Sequence, residues 1–444
     1  MKMEIMKRAE EDNVKFICLQ FTDITGAVKS VDIPINRLQI AIEDGVWFDG
    51  SSVEGFARIQ ESDMRLIPDV ETYALLPWSQ PERRRARIFC DIFLPDGTPF
   101  PGDPRGLLKR ILGRVTDRQW SYNVGPEPEF FLLRKNDSDT IHPVPHDVGG
   151  YFDFSASDEA QRVRTELMLA LEGMGLEVEM GHHEVSRGQH EIDFRYADAL
   201  RAADNVVTLK YTIKALAARQ GLIATFMPKP IYGINGSGMH THQSIFNREG
   251  RNIFFDPEDE YHLSPIAYGF IAGQMVHARA LAAVVAPTVN SYKRIVPGYE
   301  APVYVCWAHN NRSAMIRIPS HSPDREASTR AELRFPDPSC NPYLAFSVML
   351  AAGLDGIEQE IPCPPPVNDL NLYEMSESEL AERGIAQLPG SLGEALDELD
   401  RDSILKDTLG PKIYQAFVRA KRSEWDEYCA RVMDWEVEYY LETA

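Results

Sequence analysis

Three absences and one scarcity narrow what this sequence encodes. Its six cysteines (Cys18, Cys90, Cys306, Cys340, Cys363 and Cys429) include no CxxC pair. Neither a zinc knuckle nor a disulfide scaffold is therefore indicated, and the thiols read as reduced packing residues. No stretch of about 18 apolar residues occurs, which removes a helical membrane span, and residues 1–12 lack the apolar run of a signal peptide. A cytoplasmic chain is expected. Both GxxxxGK and HExxH are missing, so a nucleotide would be held without a phosphate loop and zinc on one helical face is not indicated. Positive charge is scarce, with 46 Lys and Arg against 67 Asp and Glu and a formal net charge of −21. Such a field repels nucleic acid and anionic membranes, so neither is expected as a partner. Any phosphate or carboxylate site must then be built from locally clustered arginines.

What is present is an ordinary globular chain of 444 residues, 44% hydrophobic and 25% charged, with no low-complexity tract. Residues 15–21 and 27–33 are β-rich and flank Thr25-Gly26, which predicts a hairpin near the start of a small N-terminal domain. Pro95-Asp96-Gly97 marks a turn and the prolines of 99–104 a boundary, after which Asp103 caps a helix whose first residue is Pro104. The expected division is 1–102 and 103–444. The second part alternates charged strands with amphipathic helices, the pattern of an α+β domain. Helices are expected over 157–173, over 264–286 opened by Ser264-Pro265, from Asn341-Pro342 through Leu350, and from Ser391, where Glu394 completes a capping box, to the C-terminus. Residues 362–366 should form a connector.

Four segments carry chemistry. In Gly125-Pro126-Glu127-Pro128-Glu129 a strand would set Glu127 and Glu129 on one face and Phe130 on the other, and the prolines suit a strand at the rim of a cleft. Paired carboxylates repel unless a cation, a proton or water intervenes, and a solvated acidic face is as good a reading of this pair alone. Around His182-His183-Glu184 and Gln189-His190-Glu191-Ile192-Asp193, Glu191 and Asp193 share a face, while the three histidines read as packing residues. Next, Asn235-Gly236-Ser237-Gly238 leads into a strand with His240, His242 and Ser244 on one side. Finally, residues 329–335 alternate so that Arg330, Glu332 and Arg334 face one way, with Arg294, Arg312 and Arg317 nearby in sequence. Guanidinium forks match phosphate and carboxylate, against the alternative of a surface ion-pair ladder. Glu127, Glu129, Glu184, Glu191 and Glu332 with His240 make a mostly oxygen ligand set that favours Mg²⁺ or Mn²⁺. Arginines beside hard cations point to phosphoryl transfer.

Seven segments in order, namely 48–52 (FDGSS), 125–130, 182–185, 235–240, 290–294 with 296–302, 311–313 and 341–344, resemble the successive signatures of type I glutamine synthetase along nearly the whole chain. The resemblance implies a β-grasp-like N-terminal domain and a catalytic α+β domain whose curved antiparallel sheet carries the site. It implies ligation of ammonia to glutamate at the expense of ATP through a γ-glutamyl phosphate, with two metal ions. Glu129, Glu184 and Glu191 match the ligands of one ion, and Glu127, His240 and Glu332 those of the other. Arg312, Arg317 and Arg330 match phosphate-binding arginines, and Glu179, Tyr196, His242 and Ser244 match nucleotide positions. Glutamate would meet Glu129, Asn235, Gly236, His240, Arg294, Glu300 and Arg334. Asp49, with Ser52, Tyr151 and Glu184, matches the ammonium pocket, and Glu300 the flap acid.

The resemblance further implies a dodecamer of two hexameric rings with Asp49 serving a neighbouring subunit, and a C-terminal segment at Tyr439-Tyr440-Leu441 that reaches the opposite ring. Arg58 matches the glutamine-sensing arginine of the feedback-inhibited α subclass, Tyr373 is expected to stay unmodified, and nitrogen-regulatory proteins are admitted as partners. Residues 320–328 (SHSPDREAS) are longer and more polar than the family pattern beside Arg330. Two rivals remain at this level: a related ligase that uses a polyamine or another amine, and a non-catalytic homologue that binds transcription factors.

Overall fold

The computed structural model describes residues 2–51, 53, 55, 63–135, 143–154, 159–309, 311, 314–320, 325–368 and 372–443. The first part is a sheet of β1 (Phe16–Thr22), β2 (Val28–Pro34), β3 (Val46–Asp49), β4 (Asp63–Pro68), β5 (Ala74–Leu75) and β6 (Arg85–Phe93), with α1 (Lys2–Glu11) and α2 (Leu38–Asp44) packed on it. Its order is β2-β1-β6-β4-β3, with β1 and β6 parallel, and β5 pairs with β6. The expected hairpin is β1–β2, paired from Phe16↔Pro34 to Thr22↔Val28. Asp23 organises its turn by accepting from Thr25 N and Ala27 N at 2.9 Å each.

The second part is built on a curled sheet in the order β14-β15-β16-β13-β7-β10-β9. These are β7 (Trp120–Arg134), β9 (Val178–His183), β10 (Gln189–Phe194), β13 (Met239–Asn247), β14 (Trp307–His309), β15 (Ile316–Ile318) and β16 (Ala331–Leu333). The short β8 (Val144–Pro145), β11 (Ala197–Asp198) and β12 (Leu222–Thr225) also pair with β7. All pairings are antiparallel except β14–β15 at the edge. Helices α3 (Pro104–Thr116), α4 (Glu159–Gly173), α5 (Ala199–Arg219), α6 (Pro265–Val276), α7 (Ala278–Val285), α8 (Ser291–Arg294) and α9 (Pro342–Glu358) follow the chain, then α10 (Glu377–Glu382), α11 (Leu392–Arg401), α12 (Ser403–Ala430) and α13 (Asp434–Tyr440). Phe130, Leu132 and Ile192 project from the back of the sheet into the core shared with these helices and are fully buried. Each such side chain contributes about 1.5–3 kcal/mol.

Several local expectations are met. Asp103 Oδ1 accepts from Arg105 N at 3.0 Å and caps α3, which starts at Pro104. Arg105 then pins the two parts together, binding Asp69 and Asp91 of the first part at 2.7 Å each and Asp204 of α5 at 2.9 Å. Residues 361–368 form the irregular connector, held where Trp307 Nε1 donates to Pro364 O at 2.6 Å. The helix at Asn341-Pro342 runs on to Glu358.

Other expectations need correction. The helix expected over 264–286 breaks at His277, which leaves helical geometry (φ −90°, ψ 4°) as its ring reaches Asp402 at 2.5 Å and Asp355 at 3.1 Å. Ser391 caps α11, but the Glu394 carboxylate bonds Gly390 N at 2.8 Å, so the reciprocal half of the capping box is shifted by one residue. β7 is a central strand although it carries two prolines. Its prolines are tolerated because Glu129 N donates to Gly238 O at 3.0 Å, which by alternation turns the nitrogens of Pro126 and Pro128 away from β13, where pairing with β10 has not yet begun. α6 and α9 cross unusually close. A Cβ on Gly273 would lie 2.1 Å from Ala352 O, and one on Gly356 2.0 Å from Gly269 O.

Candidate active site

The front of the large sheet holds a cavity of about 590 Å³, lined by Glu127, Glu129, Glu184, Glu191, His240 and Glu332 together with arginines 294, 317 and 334. Such a volume lies in the range of ligand sites. The acids converge because strand alternation sends Glu127 and Glu129 of β7 to the face opposite Phe130, and antiparallel register places Glu129 directly across from Glu191 of β10 and Glu127 across from His240 of β13. Like charges directly opposite are unfavourable in a ladder, so something other than sheet stability has placed them there.

Glu127, His240 and Glu332 bring one donor atom each within 4.8 Å of one another, and His182, Glu191 and Asp193 form a second set as close. Glu191 thus stands in a tight set, with Glu129 and Glu184 beside it rather than in it. Burial, followed by the Glu184 carboxylate, pushes Glu129 up to about 8. Burial and the charges of Glu127 and Glu179 push Asp193 up to about 8, and burial with Glu129 and Asp193 nearby drives Glu191 well above the carboxylate range. Glu127 is the exception: burial opposes its ionisation, but His242 outweighs that and holds it below the ordinary value. Burial, then Arg334 and Arg294, keep His240 far below its ordinary value, so its imidazole is neutral and free to donate a lone pair. Among the described residues, Glu191 Oε1 and Asp193 Oδ1 are buried without a hydrogen-bond partner. Buried carboxylate oxygens lacking donors, beside a neutral imidazole, fit hard divalent cations.

The arginines stand among these acids. Glu332 is 1% exposed and accepts from Arg317 Nη1 at 2.8 Å and from Arg334. Both of its oxygens are therefore engaged, and a cation must share Glu332 with these guanidiniums. Arg330 Nε donates to His242 Nδ1 at 3.1 Å, which leaves the His242 proton on Nε2 to meet Glu127 Oε1 at 2.8 Å. Arg294 donates to Phe335 O at 3.1 Å and Arg334 O at 3.2 Å. The glycines of 235–238 are forced by crowding: a Cβ on Gly236 would lie 2.1 Å from Pro228 O and one on Gly238 2.3 Å from an Arg294 nitrogen. Glu300, at φ +53°, accepts from Asn235 Nδ2 at 2.9 Å, tying 298–300 to the glycine loop at the cavity mouth.

The remaining expected positions are more scattered. Tyr151 lines the cavity. Asp49 lies at the end of the edge strand β3, exposed and outside the lining of this cavity, with Oδ1 accepting from Ser51 N at 2.8 Å. Glu179 and Tyr196 are exposed and Ser244 is buried, and none of the three is on the lining. Ser52, Arg58 and Arg312 lie outside the described residues, as do 321–324 of the polar segment 320–328. Of the histidines read as packing residues, His183 bonds Asp147 at 3.1 Å, and His190 meets His146 and Arg164 at 3.0 Å each, as expected of packing. His182 instead bonds Glu191 at 3.0 Å and belongs to the site. Gln189 was not anticipated. Its Nε2 donates to Glu129 Oε2 at 2.7 Å and to Gly236 O at 3.1 Å, fixing the acid against the glycine loop. Asp193 was readable from its alternation with Glu191; a neutral glutamine gave no signal.

Residues 13–95 match the model of the glutamine synthetase β-grasp domain, and residues 101–440 that of the glutamine synthetase catalytic domain. The chain is 50% identical to a glutamine synthetase of Thermus thermophilus, covering 100% of this chain and 99% of that one. It is also 50% identical to a glutamine synthetase of Methanocaldococcus jannaschii, over 99% of this chain and 97% of that one. Among solved structures it is similar to a GmaS/ADP complex, at TM-score 0.89 and 35% identity, covering 98% of this chain and 99% of that chain.

Proposed function

Because the chain belongs to the glutamine synthetase family across both of that family's domains, we propose that its acid-lined cavity is where glutamine is made. The chain is a glutamate–ammonia ligase that consumes ATP and works with Mg²⁺ or Mn²⁺. The observation that carries the site assignment is the convergence of five carboxylates and one imidazole on one cavity, with Glu191 Oε1 buried and lacking a donor among the described residues.

In this reading Glu129, Glu184 and Glu191 hold one ion and Glu127, His240 and Glu332 the other. When bound, the ions neutralise the acid cluster and offset charge on phosphoryl oxygens. Arg312, Arg317 and Arg330 take the triphosphate, with Glu179, Tyr196, His242 and Ser244 toward the nucleoside. Arg294, Arg334, Asn235 and Gly236 hold glutamate. Its γ-carboxylate oxygen attacks the terminal phosphorus and ADP leaves, so that hydroxide-like departure is replaced by loss of phosphate in the second step. Ammonia then attacks the acyl carbon, and its proton passes to a carboxylate, Asp49, supported by Ser52, Tyr151 and Glu184. Glu300 on the segment at the mouth shields the acyl phosphate from water.

The chain works as a homo-oligomer. The position of Asp49 at the edge of the N-terminal sheet, off its own cavity, supports active sites shared between neighbours. We place these in a dodecamer of two stacked rings, joined through the C-terminal helix, where Trp435 and Tyr439 stack at 5.2 Å and both stand 60% exposed. We also propose a domain division near residue 102, glutamine sensing through Arg58, and a cytoplasmic location, which the six unpaired cysteines support. The test is glutamine formation from glutamate, ammonia and ATP, abolished by EDTA and restored by Mg²⁺ or Mn²⁺, with methylamine and polyamines as competitors. Faster turnover of any alkylamine than of ammonia would transfer the assignment to an amine ligase.

A further inference from the structure

A second cavity, of about 570 Å³, lies where the tip of the N-terminal hairpin (residues 25–28) meets α5 and residues 225–228 and 288–290. Lys210 and Lys214, one turn apart on α5, both line it, and their ammonium groups stand 5.8 and 5.7 Å from the centre of the Phe226 ring. Neither makes a hydrogen bond or an ion pair among the described residues, although the chain carries 67 acids. The acid on this wall, Glu424, is engaged elsewhere, by Lys421 Nζ at 2.9 Å and Val289 N at 3.0 Å. Like charges four apart on one helix repel, and burial pushes Lys210 down to about 8. A counter-charge between them would relieve both costs, and the aromatic ring offers an apolar bed beside it.

Two of its lining residues, Pro228 and Asn290, connect by hydrogen bonds toward the active site. Asn290 bonds Lys229 through both N–H and C=O, at 2.7 and 3.0 Å, and Pro228 O accepts from Ser237 N at 2.8 Å. Lys229 Nζ in turn donates to Ile234 O, next to Asn235 and Gly236 of the cavity lining. Asn290 also opens α8, which carries Arg294. We propose that this second cavity binds a small organic anion, its acid group bridging Lys210 and Lys214 and its apolar part on Phe226, and that occupancy alters turnover through residues 228–236.

The test uses the assembled full-length chain with the active site filled by Mg²⁺, ADP and glutamate, titrated calorimetrically with succinate and with benzoate against chloride at equal ionic strength. Saturable binding near one per chain is expected, weakened at least tenfold in Lys210→Gln/Lys214→Gln. Ala27→Trp, which adds bulk on the hairpin side of the cavity and leaves both lysines in place, should weaken it as much and carries the test if the lysine pair does not fold. Absence of saturable binding for both probes, or unchanged affinity in the variants, overturns the site. The coupling rests on the glutamine-forming reading and has a separate readout. At saturating substrates the bound probe should change kcat at least twofold in the parent and not in the lysine pair, and an unchanged kcat overturns the coupling alone. Calorimetry does not depend on the assigned reaction, so the two failures are distinguishable.

Discussion

The two faces of the strands β7 and β10 obey opposite rules. Behind, Phe130, Leu132 and Ile192 are fully buried among helices, and each contact there lowers the free energy of the fold. In front, Glu127, Glu129, Glu191 and Asp193 crowd together at a cost the fold alone does not repay, since three of the four are pushed toward the protonated form. One sheet therefore holds a stabilising surface and a strained one a single residue apart. The strained one is where cations and phosphoryl groups are expected.

The back of the sheet should respond most strongly to substitution. Phe130→Ala should cost about 3–5 kcal/mol of stability, read as a lowered denaturation midpoint, while the fraction that remains folded keeps near-parent turnover. At the front the reverse should hold. Glu129→Gln keeps the acceptor met by Gln189 and Gly238 but should lose on the order of 100-fold or more in kcat/KM. Its metal-free melting temperature should be unchanged or raised, and a clear drop would mean that the acid is structural. Mg²⁺ at about 100 times its Kd should stabilise the parent by about 2.7 kcal/mol, and Glu191→Gln should forfeit most of that gain in a thermal titration. The glycine crossing of α6 and α9 belongs to the back: Gly356→Val should cost about 1–3 kcal/mol by overpacking, with chemistry per folded molecule intact.

The smallest effect is expected from His277, away from both faces. Burial opposes its charge, but Asp402 and Asp355 raise its value in the folded state above 6.5. The stability it contributes is therefore whole below about pH 6.5 and is lost as pH rises through the folded value. The parent melting temperature should drift downward over that interval and His277→Gln should flatten the drift. Equal drift in both would refute the assignment.

What the sequence made legible was whatever neighbouring residues decide. The β1–β2 hairpin, the Asp103-Pro104 helix start and the shared face of Glu127 and Glu129 follow from turn chemistry, capping and the two-residue strand period. What remained hidden depends on partners far along the chain. The helix break at His277 answers to Asp355 and Asp402, the central placement of β7 to strands on either side, and the burial of Glu332 to Arg317 on the adjoining strand. Gln189 escaped because a neutral amide that holds a carboxylate looks, in sequence, like any other polar residue. Asp193 stood in plain view at the right spacing, and its closeness to His182 and Glu191 marks it as part of the cluster.

We place the ligase centre at the strained front of the sheet, completed by a carboxylate from elsewhere in the assembly. Mixing two variants, Asp49→Ala and Glu332→Ala, and measuring ATP-, metal- and ammonia-dependent glutamine formation decides this. Each alone should lose most activity, and co-assembly should restore part of it by pairing an intact cavity with an intact Asp49. Near-parent turnover in either variant alone would contradict the residue's assigned role, and two inactive variants with no recovery after verified co-assembly would contradict the shared site.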